Sequence, residues 1–148
     1  MKKRRSKRSP KLSPEKYAEI LRGTELQEIF LESCSASVNR EMMFGKAGIQ
    51  VSIRERASYD REDDLVKIKH SFNLTCTHPE IEKGPLIKIS ATFCLLYTSV
   101  PDFDEDFFDV FKKMTLPVVS WPYFREFVQS MTQRMSIPPL TLPLIKSE

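Results

Sequence analysis

Apolar and polar residues alternate strictly along several stretches of this chain. Ile49, Val51 and Ile53 alternate with Gln50, Ser52 and Arg54. Val66, Ile68, Phe72, Leu74 and Cys76 alternate with Lys67, Lys69, Ser71, Asn73 and Thr75. Ile87, Ile89, Ala91, Phe93, Leu95 and Tyr97 alternate with Lys88, Ser90, Thr92, Cys94, Leu96 and Thr98. A period of two places one face against a core and leaves the other in water. The polar stretch Tyr59–Asp64 and the Pro/Gly-bearing stretch Thr77–Pro85 read as turns, so these strands form an antiparallel meander. An earlier strand is expected from Leu26 to Val38. Its first half is apolar on both faces (Leu26, Ile29, Phe30, Leu31), and its second half alternates. The segment Asn39–Gly48 that follows is too long for a tight hairpin and reads as a crossover or loop.

Helical spacing governs the two ends. Ser13-Pro14-Glu15 opens a short helix with a cap, a first-turn proline and an acid, and Gly23 closes it. Asp102–Met114 carries acids at its start and Lys112 and Lys113 at its end, the order a helix dipole favours. Phe103, Phe107, Phe111 and Met114 share one face of it. Ser120 is the expected cap of the last helix, with Pro122 in its first turn. Phe124, Phe127, Val128, Met131 and Met135 follow at helical spacing until Pro138-Pro139 forbids continuation. Four antiparallel strands with helices on one face make an α+β two-layer domain, expected over residues 13–148.

Composition adds a charge asymmetry. The chain has 148 residues and a formal charge of +3. Seven basic residues crowd the first eleven positions, leaving 16 basic against 20 acidic residues, a net of −4, in the remainder. Residues 1–12 read as a disordered basic tail, because their composition cannot support a core, and not as a secretory signal, because no apolar stretch follows the charges. Two readings of the tail stand side by side: a contact to nucleic acid or another anionic surface, and a solvated tail that aids solubility. The three cysteines, Cys34, Cys76 and Cys94, are scattered and read as free thiols in strands, which points to a reducing cytoplasm. Neither they nor His70 and His78 have the spacing of a metal site. No nucleophile–base pair, carboxylate pair or Gly-rich loop is discernible, so neither an enzyme nor a cofactor is expected.

The C-terminal pattern is more specific. Trp121-Pro122-Tyr123-Phe124-Arg125-Glu126-Phe127 runs into Pro138-Pro139-Leu140-Thr141-Leu142-Pro143-Leu144. Together with a four-stranded sheet and a long first connection, this resembles the SecB family of export chaperones over roughly residues 26–146. The matching positions are Trp121, Pro122, Tyr123, Arg125, Glu126, Pro139, Leu140, Leu142 and Pro143. The resemblance implies an ATP-independent holdase without a catalytic site. It implies a homotetramer that binds unfolded segments along apolar grooves, with a preprotein or an antitoxin as client and SecA as a further partner of the export members.

Candidate client contacts are Met42, Met43, Phe44, Trp121, Leu140, Leu142 and Leu144, which are apolar residues where connecting segments are usually polar. Flexible Met and flat aromatics suit a surface that accepts many sequences. Phe124, Phe127, Val128 and Met131 are assigned to the oligomer interface or the helix core, with client contact as the competing reading. Export members continue into another amphipathic helix where this sequence ends at Glu148. Their acidic sheet patch is replaced here by Arg54, Lys67, Lys69 and Lys88. The N-terminal helix and the basic tail are additions, and these three departures point to a dedicated client such as an antitoxin. The alternative from another class is an oligomeric regulator that contacts nucleic acid through the basic tail.

Overall fold

The structure is a computed structural model that describes residues 12–43, 48–82 and 84–143, with Met43 described by its backbone alone. The basic tail, Phe44 and Leu144 lie outside the described residues. The elements in chain order are α1 (Pro14–Arg22), β1 (Glu25–Val38), α2 (Arg40–Met43), β2 (Gln50–Glu62), β3 (Leu65–Thr77), β4 (Ile87–Thr98), α3 (Glu105–Met114) and α4 (Leu116–Arg134). The strands form one antiparallel sheet of four in the order β1-β4-β3-β2. The fold is α+β, with a β2-β3-β4 meander and β1 returning beside β4. The connection after β1 therefore crosses from one sheet edge to the other.

The meander follows its pattern. Val66, Ile68, Phe72, Leu74 and Cys76 of β3 and Ile87, Ile89, Ala91, Phe93, Leu95 and Tyr97 of β4 are buried on one face. Helices α3 and α4 cover that face with Phe107, Phe111, Leu116, Phe124 and Val128. β2 is longer than expected. It continues through Tyr59–Glu62, and the turn is only Asp63-Asp64, with Asp63 at φ 57°. The polar residues survive in the strand because β2 is a sheet edge, while Tyr59 still packs inward, 4.6 Å from the Phe108 ring.

β1 is apolar on both faces for a definite reason. Register shifts at Leu26/Glu28 and Leu31/Ser33 insert Gln27 and Glu32 as unpaired residues. Each bulge flips the alternation, so Leu26, Ile29, Leu31 and Cys34 all pair with inward residues of β4. Phe30, opposite Cys94, points to the outer face.

Helix ends follow local chemistry. The Ser13 side chain accepts from the Lys16 amide, and the Asp104 side chain accepts from the Phe107 amide. Gly23 closes α1 because a Cβ there would lie 2.5 Å from Val100 Cγ1. Tyr17 seals α1 onto α3, stacked at 5.0 Å on Phe107.

Candidate functional site

α4 begins at Leu116, not at Ser120. Pro117 separates it from α3, because proline supplies no N–H to the preceding turn. Two serine/threonine-then-proline openings lie five residues apart, and the earlier one is used. Pro122 consequently sits inside the helix and leaves the Val118 carbonyl without its usual amide. Val118 is exposed, so water reaches that turn.

Ser120, displaced from the cap, has a different task. It has no exposed surface, and its hydroxyl lies within hydrogen-bonding distance of the Leu116 carbonyl, at 2.9 Å. The same oxygen lies 2.6 Å from His70 Nδ1, and His70 Nε2 lies 3.1 Å from Glu55 Oε2. Burial holds His70 below its ordinary value against the opposing pull of Glu55, which favours the neutral ring at pH 7. A neutral ring donates from Nε2 to the carboxylate and leaves Nδ1 as an acceptor. The Ser120 hydrogen then serves either Nδ1 or the Leu116 carbonyl. This Ser–His–Glu chain has the order of a hydrolytic triad, yet no substrate carbonyl can reach a serine of zero exposure. It ties α4 to β3 and β2. Its members are 15 and 50 positions apart in sequence, and no local pattern announces them.

Of the two places expected for the stripe on α4, the chain's own core is the one its burial shows. Phe124 and Val128 have zero exposure and Phe127 is buried, all within the chain's own core. Phe124 stacks on Phe72 at 4.6 Å with 9° between ring planes. Phe124 and Val128 have no free surface to offer another subunit and Phe127 has little, so these three are core residues of the single chain. Met131 is half-buried against the same cluster. Met114, expected on the core face of α3, is exposed because the chain turns into α4 directly after it.

Among the client candidates, Trp121 and Leu140 are half-buried and Met42 packs partly against the core. Leu142 is only 4% exposed, so it is not a free contact surface. The chain reverses at Ser136, which has φ 53°, and runs back along α4. Trp121 Nε1 donates to the Pro143 carbonyl at 2.9 Å, and Arg125 Nε donates to the Leu142 carbonyl at 2.7 Å. Trp121 also lies 5.9 Å from Phe72 and 6.0 Å from Phe124, ring to ring.

Sequence reasoning missed one open apolar surface. The helices leave the inward face of β1 uncovered: Leu26 is 41% and Leu31 42% exposed, and Cys34 is exposed beside them. Leu31 pairs with Phe93, whose ring lies 6.1 Å from that of Tyr123, itself 47% exposed. The double-faced apolar character of β1 was the available signal. The outer sheet face differs in kind. A shallow hollow there is lined by polar residues, including Arg54, Arg56, Ser71, Asn73, Ser90 and Thr92.

Cys76 and Cys94 are buried free thiols, and burial pushes Cys76 up to about 11. Among the described residues, no cluster of His, Cys, Asp and Glu could hold a metal, and no helix is long and apolar enough to cross a membrane.

No family model and no curated protein matches the sequence. The fold has a solved counterpart. The SecB-like chaperone of Mycobacterium tuberculosis, solved with a ChAD peptide from the HigA1 antitoxin, superposes with a TM-score of 0.72 at 18% identity. The match covers 86% of this chain and 94% of that one. A Streptococcus agalactiae protein of unknown function superposes with a TM-score of only 0.41 at 12% identity over 82% of this chain and 97% of that one, too weak to argue from. The chain has a SecB-like fold.

Proposed function

We propose that this protein is an ATP-independent chaperone that holds unfolded polypeptide. The observation that carries the reading is the apolar strip of β1 left uncovered at Leu26 and Leu31, with the exposed Tyr123 beyond the buried Phe93. A 14-residue edge strand with leucines on its bare face invites an extended chain. Natural domains usually blunt such edges with charge or proline. The likeness to a SecB-like chaperone holding an antitoxin peptide supports the same reading.

The finer assignments belong to the proposal. The client is a dedicated one, such as an antitoxin, in preference to an export preprotein. The outer sheet face favours this, since Arg54, Lys67, Lys69 and Lys88 stand where SecA-docking members of the family are acidic. Assembly as a homotetramer uses exposed surface, for which the β1 edge is available and the buried Phe124 cluster is not. The cytoplasm is its compartment.

Suppression of aggregation tests the proposal. Denatured client is diluted into buffer with and without stoichiometric protein, no nucleotide is added, and light scattering is followed. The protein should abolish the rise. Scattering that rises equally in its presence would refute the holdase.

A further inference from the structure

Residues 137–143 lie on α4 as a ligand would. Two side chains one helical turn apart, Trp121 and Arg125, donate to consecutive main-chain carbonyls of this segment, at 2.9 and 2.7 Å. Such bonds read a backbone and ignore the sequence it carries. Side-chain selection comes from alternate positions. Leu140 is half-buried and Leu142 buried, while Thr141 and Pro143 face water. That is how an extended peptide seats its anchors. An indole N–H donated to a carbonyl of a proline-rich strand is also the chemistry of aromatic grooves that take such segments.

The segment is held lightly. Pro138, Pro139 and Pro143 have no N–H to give. The backbone bond from Ile137 N to Thr132 O, 3.2 Å long, fixes the reversal at its root. Beyond the root, its ties among the described residues are the two carbonyl bonds and the leucine anchors. It could therefore leave without breaking any strand pairing. Its prolines stay extended when free, so release and return cost little chain order.

Resting on the chaperone reading above, we propose that the Trp121–Arg125 side of α4 is a binding site for extended, leucine- and proline-bearing polypeptide. Residues 137–143 fill it as an internal stand-in, and a client segment binds there by displacing them. Client affinity is then set by the fraction of molecules in which the stand-in is released.

The test uses the full chain and a fluorescein-labelled peptide of residues 136–143, Ser-Ile-Pro-Pro-Leu-Thr-Leu-Pro, supplied in trans. Anisotropy gives its affinity, and NMR follows the amide shifts of Leu140 and Leu142 in the chain. Peptide binding should move those shifts to random-coil values. Leu142→Ser, which removes the main anchor of the stand-in, should bind the peptide at least about tenfold more tightly than the parent. Leu140→Ser should give a smaller, few-fold gain and serves if Leu142→Ser fails to fold. Equal affinity for parent and folded variant, or Leu140 and Leu142 shifts left unchanged on binding, would overturn displacement. A parent chain that suppresses client aggregation while keeping the segment docked would sink this inference alone. A parent chain that binds neither peptide nor client would sink the chaperone reading with it.

Discussion

Phe124→Ala separates core from interface. The ring is fully buried, stacked 4.6 Å from Phe72, with Trp121 6.0 Å away on another side. Truncating a buried phenylalanine removes transfer energy and leaves a cavity, together about 3–5 kcal/mol. A domain of this size has roughly 5–15 kcal/mol in all. At roughly 3 °C per kcal/mol, the midpoint falls by about 10–15 °C. Thermal and urea unfolding followed by circular dichroism, at protein concentrations a hundredfold apart, check both size and origin. A core residue destabilises by the same amount at every concentration, even if assembly raises the parent's stability at the higher one. A loss confined to the concentrated sample, with an unchanged dilute midpoint, would return Phe124 to a subunit interface and refute its placement.

Leu26→Ser with Leu31→Ser should alter the stability of the isolated chain by less than about 1 kcal/mol, since both side chains are more than a third exposed. The pair should weaken assembly, client retention, or both, measured by light scattering in line with gel filtration and by the aggregation assay. No change in either would dissociate the β1 strip from function. His70 gives a pH signature. Because its folded pKa lies below the ordinary 6.5, the unfolded chain takes up the proton first. Stability from this group is therefore intact above about pH 6.5 and is lost below it, at up to about 1.4 kcal/mol per pH unit, until the folded ring also protonates. His70→Asn should remove that component, and an unaltered acid limb would place its cause elsewhere. Tyr97 buries its hydroxyl without a hydrogen-bond partner among the described residues, and burial pushes it up to about 12. Tyr97→Phe should stabilise by about 1 kcal/mol in urea, because the orphaned group is deleted. A destabilised variant would mean that the hydroxyl is bonded after all.

The meander was legible because β3 and β4 are covered on one face only, which writes period two into the sequence. The end of β2 was not. Asp60, Arg61 and Glu62 look like a turn, and only their position on an edge strand allows them to pair with Leu65, Val66 and Lys67. The start of α4 was ambiguous for a local reason: Thr115-Leu116-Pro117 and Ser120-Trp121-Pro122 carry the same opening signal. The Phe124 stripe was legible as buried, but a 3.6-residue period does not say whether the burying partner is the chain itself or another copy. Leu142 was read as open surface because an extended Pro/Leu segment has no periodicity that marks it as docked. The β1 strip was misjudged through its bulges, since Gln27 and Glu32 hide the fact that Leu26, Ile29 and Leu31 share a face.

The central claim is that this chain recognises the unfolded state of other polypeptides through apolar surface. Titration calorimetry of the full protein against one client in two forms tests it most directly: reduced and permanently unfolded, and native, both without nucleotide. The account predicts saturable binding to the unfolded form alone, with a negative heat-capacity change from buried apolar area. Equal binding to both forms, or binding to neither, would contradict it.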